Sequence, residues 1–69
     1  MIEILYIEAC VKVKRQTYTQ RIDHIASGVT LQDAHEMARH VRKRLETEYP
    51  NYTSSEHKVV YSQYFTREG

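Results

Sequence analysis

Cysteine is nearly absent from this 69-residue chain: Cys10 stands alone. No intramolecular disulfide can form, so a domain this small must look to a metal site or to association for its stability. Tryptophan is missing, proline occurs once, at Pro50, and glycine twice, which excludes collagen-like and low-complexity chains. Neither sign of charge dominates. Ten Lys and Arg meet nine Asp and Glu, which disfavours a nucleic-acid binder working by bulk charge and leaves only local patches to serve that end. Long apolar runs are lacking as well: none approaches the roughly 20 residues that span a bilayer. No basic segment leads into an apolar stretch and a small-residue cleavage site, so the expectation is a cytoplasmic protein without membrane contact. Asn51-Tyr52-Thr53 matches a glycosylation sequon, but without an export signal it reads as a polar loop.

What is present is strand-like sequence, six tyrosines and one amphipathic stretch. At this length the chain holds a single domain, 1–69, which buries only about 60% of the surface its unfolded form exposes. The opening MIEILYIEACVKVK has no glycine or proline and many β-branched residues, and predicts a strand over 2–15. At period two, one row holds Leu5, Ile7, Ala9, Val11 and Val13 and is a core face. The other runs from Ile2, Ile4 and Tyr6 through Glu8 and Cys10 to Lys12 and Lys14, apolar at its start and cationic at its end. Residues 17–26, TYTQRIDHIA, predict a second strand joined by a tight turn near Arg15 and Gln16, although no Asn-Gly or Asp-Gly marks that turn.

Ser27-Gly28 is the first clear punctuation. Beyond it, Thr30 with Asp33 three residues later is a variant of the capping box and predicts a helix start. Leu31, Ala34, Ala38, Val41 and Leu45 recur at steps of three and four, with Met37 at the border, so one stripe is apolar and covers the core. Asp33 and Glu36 come early and Arg39, Arg42, Lys43 and Arg44 late, in the order the helix dipole favours. The helix should end near Glu48, because Pro50 disfavours helical geometry at Tyr49. HKVVYSQYFT, residues 57–66, predicts the last strand. The fold class is therefore α+β: a three-stranded antiparallel sheet, in strand, strand, helix, strand order, with one helix packed on one face. The other face then has no cover. Ile2, Ile4 and Tyr6 fall there, joined by one row of the third strand, either Val59, Tyr61 and Phe65 or Val60 and Tyr64.

Chemistry-bearing residues are few. His35-Glu36-Met37-Ala38-Arg39-His40 looks like a zinc-protease helix, but that motif spaces its histidines by four so that both reach one ion. At a spacing of five they point about 140° apart and cannot chelate together. His24 and His57, with Lys58 nearby, are residue types used in acid-base cleavage of RNA, yet nothing in their spacing demands it. Cys10 has no fixed base beside it and reads as a small sheet residue. No phosphate-cradling loop and no nucleophile, base and acid arrangement can be placed. The expectation is a protein that is not an enzyme and needs neither cofactor nor metal.

Basic residues gather in two places, Lys12, Lys14, Arg15 and Arg21 on the hairpin and Arg39, Arg42, Lys43 and Arg44 on the helix. A two-stranded ribbon can enter a major groove, and an unbroken fourteen-residue strand spans roughly 46 Å against roughly 25 Å for the helix, so the hairpin is expected to project. The long hairpin over Ile2 to Ala26 and the passage Gly28-Val29-Thr30-Leu31-Gln32-Asp33-Ala34 into a capped helix resemble small phage and mobile-element proteins of ββαβ layout. Those proteins, anti-CRISPR proteins and RNA polymerase inhibitors among them, bind and alter a host enzyme. The stretch RKRLETEYPNYTSSEHKVV, Arg42 to Val60, looks like the helix-to-strand passage of DinI-like proteins, modulators of RecA, although the long hairpin and the missing final acidic helix depart from that family. Both resemblances imply a non-catalytic modulator of a larger machine.

The leading expectation is thus a protein-binding module that occludes a larger protein or ribonucleoprotein through its uncovered sheet face, an edge strand or the hairpin. Tyr6, Tyr18, Tyr61 and Tyr64 would supply area and Lys12, Lys14, Arg15 and Arg21 steering charge. A twofold homodimer burying Ile2, Ile4 and Tyr6 is compatible with it. The competing expectation is a nucleic-acid binder using the basic hairpin or the basic end of the helix.

Overall fold

In the computed structural model, which describes residues 2–63, the chain runs as β1 (Ile2–Val13), β2 (Gln16–Ile22), α1 (Leu31–Glu48) and β3 (Ser54–Gln63). The sheet order is β2-β1-β3, with both pairings antiparallel. The long opening strand is therefore the central one, and α1 lies across β1 and β3. The expected α+β architecture and element order hold.

Element ends follow local chemistry. The hairpin turns on two residues, Lys14 and Arg15, between the paired Val13 and Gln16. Lys14 has φ +56°, the left-handed backbone that two-residue hairpin loops demand and that glycine or asparagine usually supplies. β2 stops at Ile22, four residues short of the expected end: Asp23 is a poor strand former that binds Arg21 Nε through Oδ1 at 2.7 Å, and Ile25 packs against the core rather than continuing the ladder. Gly28, at φ +89°, takes the chain round to the helix. There the Thr30 hydroxyl accepts the Asp33 N–H at 3.1 Å, as the cap demands. The helix ends with the Tyr49 N–H on the Leu45 carbonyl at 2.9 Å. The cations expected late in the helix stop short of its last turn, which holds no basic residue. β3 starts at Ser54 rather than at 57, because the Thr53 N–H and hydroxyl both bind the Lys12 carbonyl, at 2.7 and 3.1 Å, and draw the loop onto β1 early.

The main departure is a β-bulge. Ile4 pairs with Tyr61 and Tyr6 with Val60, so Leu5 is an extra residue with no partner on β3. Since side chains alternate along a strand, one inserted residue changes which face every residue before it addresses. Ile4 consequently joins Ile7, Ala9 and Val11 under the helix and is only 8% exposed, whereas Leu5 is 45% exposed. The expectation of Leu5 in the core with Ile4 on the uncovered face is corrected: the two exchange roles. The core comprises Ile4, Ile7, Ala9 and Val11 from the sheet and Ala34, Ala38, Val41 and Leu45 from the helix, the last four being the apolar stripe read from the sequence. Tyr18, Ile22, Val59 and Tyr49 border it.

Candidate interaction surface

The pairing registers sort every sheet residue onto one of two faces. The rows Ile7–Ile22–Val59, Ala9–Gln20–His57 and Val11–Tyr18–Ser55 face α1. The rows Tyr6–Val60, Glu8–Arg21–Lys58, Cys10–Thr19–Glu56 and Lys12–Thr17–Ser54 face away from it, and no element of the described residues covers them. This second face is not apolar, as Ile2, Ile4 and Tyr6 together would have made it. Ile4 is in the core, and the Ile2 side chain lies outside the described residues. Of the two candidate rows of β3, the one with Val60 is on this face.

Charges of both signs interlock here. Lys58 Nζ stands 3.6 Å from Glu8 Oε1. The Arg21 guanidinium lies 3.9 Å from the centre of the Tyr6 ring, a cation–π geometry, while its Nε holds Asp23 at 2.7 Å. That hydrogen bond, more than any other influence, raises the Arg21 pKa above its ordinary value. Cys10 donates its thiol to Glu56 Oε1 at 3.6 Å. Burial first, then the Glu56 charge and hydrogen bond and the Glu8 charge, push its pKa up, with Lys58 opposing; such a thiol stays protonated and is a poor nucleophile.

At the hairpin end the balance changes. Lys12, Lys14 and Arg15 are all exposed, the last two in the turn, and none joins an ion pair among the described residues. No acidic residue occurs from Val11 to Gln20 or from Tyr49 to Ser55, the two segments that meet at this end. The hairpin does not stand clear of the domain, however. β3 pairs with β1 as far as Lys12, and the rings of Tyr18 and Tyr49 stack with centroids 4.0 Å apart, tying the helix C-terminus to the base of the turn. Only the last pair and the two loop residues extend past β3. At the opposite end β1 and β3 run on as a pair beyond β2, which reaches only to Ile7.

The expected partner-binding residues are thus not gathered on one surface. Tyr6, Lys12 and Arg21 share the open face, with Lys14 and Arg15 in the adjoining turn. Tyr18 is on the helix side, its hydroxyl bound to the Gln16 carboxamide. Tyr61 is also on the helix-side row, opposite Ile4, yet 44% exposed. Tyr64 lies outside the described residues. Glu8 and Cys10 are on the open face, where the period-two row of β1 puts them; not anticipated were Glu56 and Lys58 beside them, since finding these requires the register of β3 on β1.

The histidines separate. His24 is exposed in the connection after β2, whereas His57 faces the helix edge-on to His35, ring centres 6.3 Å apart, so the two form no acid-base pair. His57 Nδ1 is buried without a hydrogen-bond partner, and burial first, then Arg42, His35 and Arg39, hold its pKa below the ordinary 6.5. Further along this seam, Arg42 Nε stands 3.7 Å from Glu46 Oε2, an ion pair too long to count as a hydrogen bond, and the Ser55 hydroxyl donates to the same carboxylate. His40 points outward among Lys43, Arg44, Thr47 and Glu48, away from His35 as its spacing requires. Among the described residues no three potential metal ligands come together, and no helix is long and apolar enough to cross a membrane. No protein-family model matches the chain, and no curated protein or solved structure matches it.

Proposed function

We propose that this chain is a non-catalytic protein-binding module, an inhibitor or modulator of a larger nucleic-acid-processing enzyme, which it occludes with its open sheet face and the cationic turn beside it. The observation that carries this reading is a sheet face without cover among the described residues, mixed in charge and bordered by Lys12, Lys14 and Arg15. Non-obligate protein interfaces have this polar, mixed character. Tyr and Arg are the residue types that dominate their energetics, and Tyr6 and Arg21 already lie against each other there. The border cations, which join no ion pair among the described residues, would steer an acidic partner surface into register.

The test compares capture of binding proteins from nuclease-treated lysate by the wild-type chain, by the triple variant Lys12→Glu/Lys14→Glu/Arg15→Glu and by Thr19→Arg, which places a bulky charge at an exposed point of the open face. The same protein should be retained by the wild type and lost from both variants; retention by both would refute the reading. The acid-free hairpin end favours one second reading, binding of nucleic acid. In that case capture vanishes with nuclease, and affinity for duplex falls with salt at a log-log slope of about −2.7 for three neutralised phosphates.

A further inference from the structure

We propose that β3 is a self-association edge: two copies pair their β3 strands antiparallel about a twofold axis at the level of His57, joining two three-stranded sheets into one of six strands. The proposal concerns the sheet edge and does not depend on the open-face reading.

β3 is the last strand on its side of the sheet and runs for ten residues. Its outward backbone groups meet no other strand among the described residues. Edges of this kind are templates for pairing with another chain, and proteins commonly blunt them with charged side chains, proline, bulges or short length. β3 has no proline, bulge or short length, the bulge of this sheet being in β1, and its two formal charges, Glu56 and Lys58, are opposite in sign, so they blunt the edge only in registers that set like charges opposite each other. The other edge, β2, is seven residues long and holds one charged residue, Arg21, which Asp23 already engages.

Charge selects both partner and register. An antiparallel twofold normal to a sheet must set residues of the same face opposite each other, so the axis lies between the strands at the level of one residue of β3, which then faces its own copy. At Glu56 it would oppose Glu56 to its own copy, and at Lys58 it would oppose two lysines. At Val59 it would set Lys58 against Val60 and Glu56 against Ser62. Only at His57 does Glu56 meet Lys58 of the second copy, twice by symmetry. Opposite charges directly across a ladder stabilise it and like charges destabilise it. Glu56 is available for this contact: among the described residues its side chain binds only the Cys10 thiol and no cation. Since Lys58 already faces Glu8 across β1–β3, the joined sheet carries charges alternating in sign from Arg21 through Glu8 and Lys58 to Glu56 of the second copy. On the other side, with strands about 4.8 Å apart and α1 above β1 and β3, the two helices come about 10 Å apart, an ordinary packing distance. Arg39 and Arg42 then turn toward their copies, so the association is reversible rather than obligate.

Sedimentation equilibrium at pH 7.5 tests this. The wild type should show a concentration-dependent rise to twice the monomer mass. Glu56→Lys alone and Lys58→Glu alone should each weaken the association at least tenfold. An equimolar mixture of the two should dimerise again: in the mixed dimer the introduced lysine faces the introduced glutamate, and at the other contact the native Lys58 faces the native Glu56. Circular dichroism checks that both variants are folded, and if Lys58→Glu is lost beside Glu8, Glu56→Lys decides alone, since it leaves the Glu8–Lys58 pair intact. A wild type that stays monomeric at every concentration overturns the proposal. So does a dimer indifferent to the charge reversals, and so does a mixture of folded variants that fails to re-form it.

Discussion

On one side of β1, Ile4, Ile7, Ala9 and Val11 are at most 8% exposed beneath α1; on the other, Tyr6, Glu8, Cys10 and Lys12 alternate with them along the same strand and meet no second layer among the described residues. The inner face is apolar down the middle strand and takes up polar contacts at its flanks, the Tyr18–Gln16 hydrogen bond on β2 and the His57–Arg42–Glu46 seam on the other side. The outer face is held by interactions between neighbours on its own surface. Burial of an aliphatic side chain contributes about 1.5–3 kcal/mol, whereas an exposed ion pair contributes roughly 0–1. One face therefore carries the stability of the fold, and the other is free to be a surface.

The sharpest way to break this division is to shift the alternation of β1. Deleting Ala9, where β1 is paired on both sides, would turn Ile7 outward and should abolish the folded circular dichroism spectrum. Deleting Leu5 should be tolerated within about 1 kcal/mol, because the ladder closes from Ile4–Tyr61 to Tyr6–Val60 and Ile4 keeps its inward direction. If the two deletions are equally damaging, the bulge does not set the faces. Next in size, Ile7→Ala should cost about 2–4 kcal/mol in urea unfolding, against less than about 1 for Val60→Ala on the open face. Equal costs would mean that something covers the open face.

Much of the inner face was legible in the residues themselves. The helix stripe, the Thr30 cap, the stop before Pro50 and the order of elements rest on local periodicity and capping chemistry, which act within a few residues. The outer face was read less well, for one physical reason. Ile4 and Leu5 are both apolar, so alternation carries no mark of the phase change between them, and the bulge is specified by pairing with β3 at the far end of the chain. An error of one residue there moves Ile4 from core to surface and makes the start of a mixed-charge face look apolar. The turn was obscure for a similar reason: Lys14 takes a left-handed backbone that glycine usually signals. The placement of Glu56 and Lys58 opposite Cys10 and Glu8 depends wholly on register and has no local signature.

The seam between α1 and β3 sharpens the comparison through pH. His57 resists protonation in the fold because burial, Arg42, His35 and Arg39 disfavour its charge, and opposite it on β1 stands Ala9, with no charge to compensate. The unfolded chain binds that proton at about 6.5, so the contribution of neutral His57 is complete above this value. It is lost progressively as pH falls below it toward the lowered folded-state pKa. Urea unfolding of the wild type across pH 7.5 to 5 should therefore show a modest decline that His57→Gln reduces. A variant with an unchanged slope would remove His57 as its source.

The smallest effect is expected where the open face looks best ordered. Glu8 and Lys58 face each other across the β1–β3 ladder at 3.6 Å, but the lysine side chain is 57% exposed, so water and salt screen the pair. A double-mutant cycle with Glu8→Ala and Lys58→Ala, measured by urea unfolding of dilute protein, should give a coupling of about 0.5 kcal/mol or less, vanishing at high salt. A coupling well above about 1 kcal/mol that survives salt would show the open face holding the sheet together, and the division of labour between the faces would fail. A coupling near zero leaves Lys58 energetically uncommitted within one molecule, the condition in which a surface charge can be used for recognition without cost to the fold.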